Sequence, residues 1–285
     1  MADTILVTGA TGNTGNPLVQ LLHDKGATVR AMVRSESARD TLPDGVQCAV
    51  ADFDDDASMA AALDGVTKAY LVTPSSARAQ AQQEAFVTAA ARSGVQHLVK
   101  LSQLAAAEDS PVRFLRYHAA VERQIRELGI GFTFLRPNLY FQGLLAMADA
   151  IREQGRFFAP IGDARVSAAD VRDIAAAAAT VLTEPGHQGQ AYTITGPAAV
   201  THAEIAEAIS TATGRTVVFV DVDPDTFAGA LRGALPDWQV DGLPEDYAHY
   251  ARGEAAEISP AVEDLTGRAP RSAEQWARDY ADMLR

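Results

Sequence analysis

Three glycines near the beginning of the chain have the spacing of a turn that holds phosphates. Gly9, Gly12 and Gly15 follow the apolar run Ile5–Val7 and precede Pro17–Leu22, whose apolar residues recur with helical periodicity. Where a parallel strand turns sharply into a helix, free N–H groups and the positive end of the helix dipole face the turn. Glycines let that backbone approach a pyrophosphate closely. The pattern predicts a dinucleotide site, with an ordinary strand–turn–helix as the alternative. The loop residues assigned to this site are Gly9, Thr11, Gly12, Asn13, Thr14 and Gly15.

The end of the second predicted strand indicates which dinucleotide is bound. Thr28–Val33 is followed by Arg34 and Ser35, whereas NAD-preferring sites place a carboxylate there to bond the ribose 2′-hydroxyl. The forked cation of Arg34 suits a 2′-phosphate, and Ser35 adds a hydroxyl. We therefore predict NADP(H). Arg30 is either a solvated arginine or a second contributor.

Two further segments follow predicted strands and are expected to lie along the cofactor. Asp52 and Phe53 come after the third strand and are predicted to reach the adenine; alternatively, Asp52 caps the helix that begins near residue 57. Thr73 and Pro74 follow the fourth strand.

Strand and helix patterns alternate along the first half of the chain. This alternation predicts an α/β fold, a Rossmann-type doubly wound parallel sheet with a smaller C-terminal α/β substrate lobe. Residues 1–140 are predicted to form the NADP-binding domain, to which a strand near 190–196 returns. Residues 141–285 form mainly the substrate lobe, and a cleft between the lobes is expected to hold substrate. The predicted strands are Thr4–Val7, Thr28–Val33, Gln47–Val50, Ala69–Val72, His97–Leu101, Phe132–Leu135, Tyr192–Ile194 and Val217–Val222. Helices are predicted at about 14–25, 56–63, 78–93, 114–128, 141–153, 170–183 and 202–212, with a loop through Gly162 and further helices towards the end.

Composition excludes several classes of function. The net charge of −13 over 285 residues argues against a general binder of nucleic acid or of anionic membranes. Cys48 is the only cysteine, so no intrachain disulfide forms, as suits a reducing cytosol. Met1 leads directly into the first strand and no run of 18 apolar residues occurs, so we expect a cytoplasmic protein without a signal peptide or membrane span. No His/Cys cluster has metal-ligand spacing.

Several of these segments together resemble a known family. The chain is similar to the atypical short-chain dehydrogenases of the NmrA-like group, and most similar in look to type-2 quinone oxidoreductases and triphenylmethane reductases. The resemblance implies NADPH-dependent reduction of flat conjugated acceptors. The same group contains NADP-binding regulators without catalysis, so the fold alone does not decide function. The segments that carry the resemblance are Val7–Gly15, Val33–Ser35, Asp52–Phe53, Leu135–Asn138 and Tyr192–Pro197.

The resemblance also identifies candidate catalytic positions and one departure from the common pattern. Ordinary short-chain dehydrogenases use a serine and a Tyr-x-x-x-Lys pair on one helical face. By resemblance, Ser102 is that serine, His118 occupies the lysine position and Phe114 occupies the tyrosine position. Tyr117 lies about 100° around the helix from His118. His118 either bonds the nicotinamide ribose and orients the acceptor, or is a helix histidine bonded to a backbone carbonyl; Glu122 either orients His118 or is solvated. The catalytic candidates are Ser102, Tyr117 and His118, of which Ser102 and His118 are also cofactor candidates.

The segment after the sixth strand carries the candidate substrate contacts. Pro137 is expected at the nicotinamide, and the rings of Tyr140 and Phe141 follow it. Such rings would stack on a flat substrate with about 0.5–1.5 kcal/mol beyond area burial; packing in the protein core is the alternative. The residues assigned to substrate are Gln103, Asn138, Tyr140, Phe141 and Trp238.

The missing tyrosine directs the functional prediction. An alcohol–ketone dehydrogenase needs a poised proton donor, whereas a quinone or a delocalised cation accepts a hydride without one. We predict an NADPH-dependent reductase that delivers hydride directly to a quinone-like or polycyclic aromatic acceptor, without flavin or metal. The composition resembles that of proteins from GC-rich bacteria, and this suggests an enzyme that tailors aromatic natural products. The alternatives are a reductase that supports an oxygen-dependent hydroxylation and a non-catalytic NADP(H) sensor; a homodimer is left open.

Overall fold

A seven-stranded sheet forms the centre of the computed structural model, which describes residues 3–285. Its strand order is β3-β2-β1-β4-β5-β6-β8, and β1 to β6 run parallel. The chain reverses direction across the sheet between β1 and β4. This order confirms the predicted doubly wound α/β fold. The strands are β1 (Thr4–Val7), β2 (Thr28–Val33), β3 (Gln47–Val50), β4 (Lys68–Leu71), β5 (His97–Leu101), β6 (Gly131–Pro137), β7 (Arg156–Ala159), β8 (Gln190–Ile194) and β9 (Val218–Asp221).

The helices lie between these strands and fill the C-terminal part. Where a helix or strand was predicted individually, its observed bounds agree to within two residues, apart from the region 141–162. The α-helices are α1 (Gly15–Asp24), α2 (Asp56–Leu63), α3 (Ala79–Arg92), α4 (Arg113–Glu127), α5 (Ala148–Gln154), α6 (Val171–Thr183), α7 (His202–Thr213), α8 (Pro224–Leu231), α9 (Asp237–Ala251), α10 (Ala261–Thr266), α11 (Ala273–Asp279) and α12 (Ala281–Leu284).

Two predictions in the region 141–162 were wrong. The single helix over 141–153 is a 3₁₀ segment, Phe141–Met147, followed by α5; Gly143 lies inside that segment, and glycine disfavours a continuous α-helix. The predicted loop through Gly162 contains β7, which pairs in parallel with β9 as a separate two-stranded sheet. A strand of four residues with adjacent phenylalanines has no alternating pattern to reveal it.

The chain divides into two units. The first contains the chain up to Asp109, Leu115–Arg136 and Ile174–Tyr192. The second contains Ser110–Phe114, Pro137–Asp173 and Thr193–Arg285. The first unit therefore includes most of α6, which the sequence prediction grouped with the C-terminal part.

Apolar side chains from the sheet and its helices form the core of the first unit. Phe86 and Val87 of α3 pack with Leu98 of β5 and Phe134 of β6, and all four are fully buried. Removing such a ring or branched chain would cost about 2–5 kcal/mol. This rigid core fixes the carboxyl ends of the strands, where the candidate site lies.

The second unit has its own aromatic core. Trp276 is fully buried, and Phe141 stacks on it with ring centroids 5.6 Å apart. A capping box begins α7, because Thr201 and Glu204 exchange side-chain and backbone hydrogen bonds. His202, the first residue of α7, is 0% exposed, and its neighbours include several aromatic rings. Neither of its ring nitrogens has a hydrogen-bond partner within residues 3–285.

Candidate active site

The glycine turn after β1 is packed too closely to admit side chains. Gly9 has φ +58°, and the N–H of Gly12 donates to its carbonyl oxygen at 2.8 Å. A Cβ on Gly15 would lie 2.1 Å from that same oxygen. Thr14, the N-cap of α1, makes no capping hydrogen bond with its side chain. The first-turn amides of α1 therefore face a turn without a side-chain cap, which fits an incoming pyrophosphate.

Hydrogen bonds join β1 and β4 where the strand order reverses. The Thr8 hydroxyl donates to the Val72 carbonyl at 2.8 Å and accepts from the Val72 N–H at 2.8 Å. Thr73 follows, and its hydroxyl accepts from Gln83 Nε2 at 2.9 Å; Pro74 is exposed. Ligands of doubly wound sheets bind at this reversal point. The glycine turn and Thr73 therefore lie at the edge of the sheet where a ligand is expected.

Arg34 and Arg30 have different environments. Arg34 is exposed beyond β2, and its guanidinium makes no hydrogen bond or ion pair within residues 3–285. Arg30 is held in place, because its Nη1 donates to the carbonyls of Ala62 and Asp64 at 2.8 and 2.6 Å. Of the alternatives for Arg30, the freely solvated arginine is therefore wrong, and the second cofactor contact stays a prediction. Ser35 Oγ is 2.8 Å from Ser37 Oγ and is exposed.

Asp52 and Phe53 lie beyond β3. Asp52 Oδ1 accepts the Asp54 N–H at 2.9 Å, while Asp55 is the N-cap of α2 and accepts from the Ala57 N–H. The alternative that Asp52 caps this helix is therefore wrong, because the chain makes one more turn before the helix begins. Phe53 is half-buried and meets the edge of a core ring, with centroids 6.0 Å apart.

A buried carboxylate holds Ser102. Glu122 is 1% exposed, and its Oε1 accepts from the Ser102 hydroxyl at 2.7 Å and from Arg136 Nε at 2.9 Å. Arg126 donates to Oε2 at 3.2 Å. Burial alone would raise the pKa of Glu122, but the hydrogen bonds from Arg136 and Ser102 hold it below its ordinary value. Both alternatives for Glu122 were wrong: it is not solvated, and it orients Ser102 rather than His118.

His118 is bonded to a lysine that the sequence analysis missed. Lys100 is 0% exposed, and its Nζ lies 2.7 Å from His118 Nδ1 and 3.1 Å from the Leu101 carbonyl. The alternative in which His118 bonds a backbone carbonyl was therefore wrong. Burial lowers the pKa of Lys100 to about 7, and burial followed by the charge of Lys100 lowers the pKa of His118 well below 6.5. Tyr117 is buried with its ring centroid 4.1 Å from that of His118.

Phe114 occupies a packed position in the second unit. Its ring centroid is 5.1 Å from that of Trp238. A Cβ on Gly242 of α9 would lie 2.5 Å from Phe114 Cζ, so the Phe114 ring packs directly against α9 at this glycine. Arg113 donates to Glu245 at 2.7 Å and ties the start of α4 to the same helix. A packed apolar ring therefore occupies the position at which the resemblance expects a phenol.

The substrate candidates divide into two groups. Asn138 is 3% exposed, and its amide donates to the Ser167 hydroxyl and the Ala255 carbonyl at 2.9 and 2.8 Å. Phe141 is buried on Trp276. Both side chains therefore have the structural role that the sequence analysis left as an alternative for this segment. Partial exposure is shared by the remaining candidates, Gln103, Tyr140 and Trp238; Pro137 ends β6 and is buried.

Comparison with known proteins identifies the class. The chain belongs to the NmrA-like family, whose model matches residues 1–269, and this confirms the resemblance. It is 39% identical to an NAD(P)H azoreductase from Xenophilus azovorans, with 97% of this chain and 98% of the relative covered.

Solved structures agree with this assignment. An NADPH-dependent quinone oxidoreductase from Escherichia coli, complexed with NADPH, matches with TM-score 0.88 and 29% identity over 96% of this chain and 99% of that one. The Citrobacter triphenylmethane reductase complexed with NADP(H) matches with TM-score 0.86 and 29% identity over 97% and 99%.

Neither a metal-binding cluster nor a membrane-crossing helix occurs among the described residues. In residues 3–285, no three His, Cys, Asp or Glu side chains are grouped so as to hold a metal ion. Among the described helices, none combines the length and apolar composition that crossing a membrane requires.

Proposed function

We propose that this protein, an NAD(P)H-dependent oxidoreductase, uses NADPH to reduce a flat, conjugated, quinone-like acceptor by direct hydride transfer. The observation that carries the proposal is Phe114, a buried ring packed against α9 at the position where the resemblance places the phenolic proton donor of alcohol dehydrogenation. A quinone-like acceptor tolerates the loss of the phenol, because the negative charge that arrives with the hydride spreads over the ring system and the proton can come from another donor.

The cofactor candidates of the first unit match the chemistry of NADPH. The glycine turn and the start of α1 would hold the pyrophosphate, and Arg34 with Ser35 would hold the 2′-phosphate. When bound, NADPH supplies the hydride. The other residues we propose at the cofactor are Asp52, Phe53, Thr73, Pro74, Ser102, His118 and Pro137.

The names of three of the similar proteins support this shape of the acceptor. Azo compounds, quinones and triphenylmethane dyes all have flat or conjugated ring systems, and we propose the same for the acceptor here. Tyr140 and Trp238 would contact its rings, with Gln103 next to Ser102. An aromatic metabolite is the natural acceptor that we propose.

A spectrophotometric assay tests the proposal. Purified protein is mixed with NADPH and a panel of quinones and azo dyes without added flavin, and absorbance at the nicotinamide band is followed. We expect oxidation that depends on the acceptor and not on oxygen. Tight NADPH binding without turnover of any acceptor would favour the sensor alternative, and oxygen uptake coupled to NADPH oxidation would favour the hydroxylation alternative.

A further inference from the structure

Lys100 is the most unusual charged residue of the first unit. It lies in the fully buried strand β5, and its Nζ is directed at His118 Nδ1 at 2.7 Å. In its ammonium form, Lys100 has three donors and no acceptor. While Lys100 is protonated, Nδ1 of His118 therefore accepts, and the hydrogen of the neutral ring lies on Nε2. Lysine is almost never fully buried without a partner, and here that partner is an imidazole rather than a carboxylate.

Charged groups on two neighbouring elements balance this lysine. Glu122 and Arg126 come from α4 and Arg136 from β6, and the two arginines are bonded to the Glu122 carboxylate. The carboxylate favours the ammonium form of Lys100, whereas burial and Arg136 disfavour it. The two effects leave Lys100 able to gain and lose a proton near neutral pH.

His118 is a weak proton donor by itself. Burial and the neighbouring ammonium keep its ring neutral, and a neutral imidazole is a poor acid unless its other nitrogen is protonated at the same time. The 2.7 Å contact to Lys100 provides such a proton at Nδ1.

We propose that Lys100 is the proton source of the active site and acts through His118, so that the enzyme reduces neutral acceptors that become anionic when they receive a hydride. This inference rests on the proposed function and narrows its acceptor class. Lys100 is a positioning residue in this scheme, since it reaches the acceptor only through the imidazole.

The proton transfer balances the reaction. A hydride brings two electrons and one hydrogen to the acceptor, which then needs one proton to become neutral. The Nε2–H bond of His118 breaks as that proton leaves, Nδ1 forms a bond to a proton from Lys100 Nζ, and the ammonium becomes an amine. A proton from bulk water later restores the ammonium and the starting tautomer.

Two acceptors with different proton requirements test the relay. Menadione is neutral and takes a hydride and a proton, whereas malachite green is a cation that takes a hydride alone. We expect Lys100→Met to lower kcat with menadione by roughly a hundredfold, as for loss of a general acid. Turnover of malachite green and the KM for NADPH should change less than about threefold. Lys68→Met is the matched control, because Lys68 is a β4 lysine bonded to the Leu182 carbonyl and to Asp3.

The pH profile and a second variant separate proton transfer from charge. With menadione, wild-type kcat should fall as the pH rises through about 7, where Lys100 loses its proton, and this fall should be absent with malachite green. Lys100→Arg keeps the charge without releasing a proton and should not restore menadione turnover. Rescue by arginine, or equal losses with both acceptors, would overturn the relay.

A measurement without turnover separates the relay from the proposed function. In cofactor-free protein, ¹⁵N NMR of the His118 ring should show the neutral tautomer with hydrogen on Nε2 and a change in Lys100→Met. Hydrogen on Nδ1 in the wild type would contradict the relay. If the wild type reduces neither acceptor, the proposed function fails and the relay fails with it. If it reduces both and Lys100→Met slows them equally, only the relay fails.

Discussion

His202 should make the fold sensitive to mild acid. Its ring is 0% exposed with both nitrogens unpaired, and burial lowers its pKa from 6.5 to about 4. The start of α7 also disfavours a positive charge there. Because the folded-state pKa is below the unfolded one, the stability contribution is fully present above 6.5 and is lost as the pH falls towards 4.

The size of this effect follows from the two pKa values. With 6.5 unfolded and about 4 folded, protonation of the unfolded chain removes roughly 2 kcal/mol of unfolding free energy between pH 7.5 and pH 5. The limit, reached well below pH 4, is roughly 3 kcal/mol. His202→Leu has a similar volume and no titrating group, so its loss over the same interval should be roughly 2 kcal/mol smaller than that of the wild type.

Urea unfolding at pH 7.5 and pH 5 measures this difference. Phe219→Leu is the control, because it trims the ring whose centroid lies 5.2 Å from that of His202 without removing a titratable group. The control should lower stability equally at both pH values. The same pH dependence in His202→Leu and wild type would refute the reasoning, since the acid loss would then come from other groups.

Three further predictions concern Arg34, Gly15 and Phe114. Arg34→Ala should raise the Kd for NADPH roughly ten- to a hundredfold, as expected for a charged hydrogen bond, and the Kd for NADH less than twofold. Arg39→Ala, another exposed arginine, is the control, and equal losses for both nucleotides would remove the 2′-phosphate role. Gly15→Ala should weaken NADPH binding at least tenfold by calorimetry, because its Cβ meets backbone 2.1 Å away; wild-type affinity would show that the turn adapts. Phe114→Tyr should lower the Tm without creating alcohol dehydrogenase activity, and a gain of that activity would contradict the packing argument.

Local patterns were sufficient to predict the strand, the glycine turn and the helix at the start of the first unit. Gly9, Gly12 and Gly15 lie between a strand and a helix, and each has a steric reason visible in the fold. Arg34 was assigned from its place at the end of β2, where the structure leaves it exposed. These residues could be assigned from sequence because a strand–turn–helix determines its own geometry within a few residues, and their contact with the cofactor stays a prediction.

Partners that are distant in sequence could not be predicted in the same way. His118 and Lys100 are 18 residues apart, and Asn138 bonds a carbonyl 117 residues away. Spacing on one helix placed Glu122 beside His118, but contacts with β6 and with Ser102 decided its role. A lysine inside the apolar strand His97–Leu101 was the available signal for the buried pair.

The exposure of Arg34, together with its proposed contact to the 2′-phosphate, would make the choice of cofactor depend on the salt concentration. Exposed charges are screened over about 8 Å at physiological ionic strength, so added salt should reduce the preference for NADPH over NADH. Lys100 and His118 are buried and largely escape that screening. Salt would therefore act on which nucleotide enters, whereas pH would act on how an acceptor receives its proton. Salt concentration would affect the Arg34 side of the site, and pH would affect the Lys100–His118 pair.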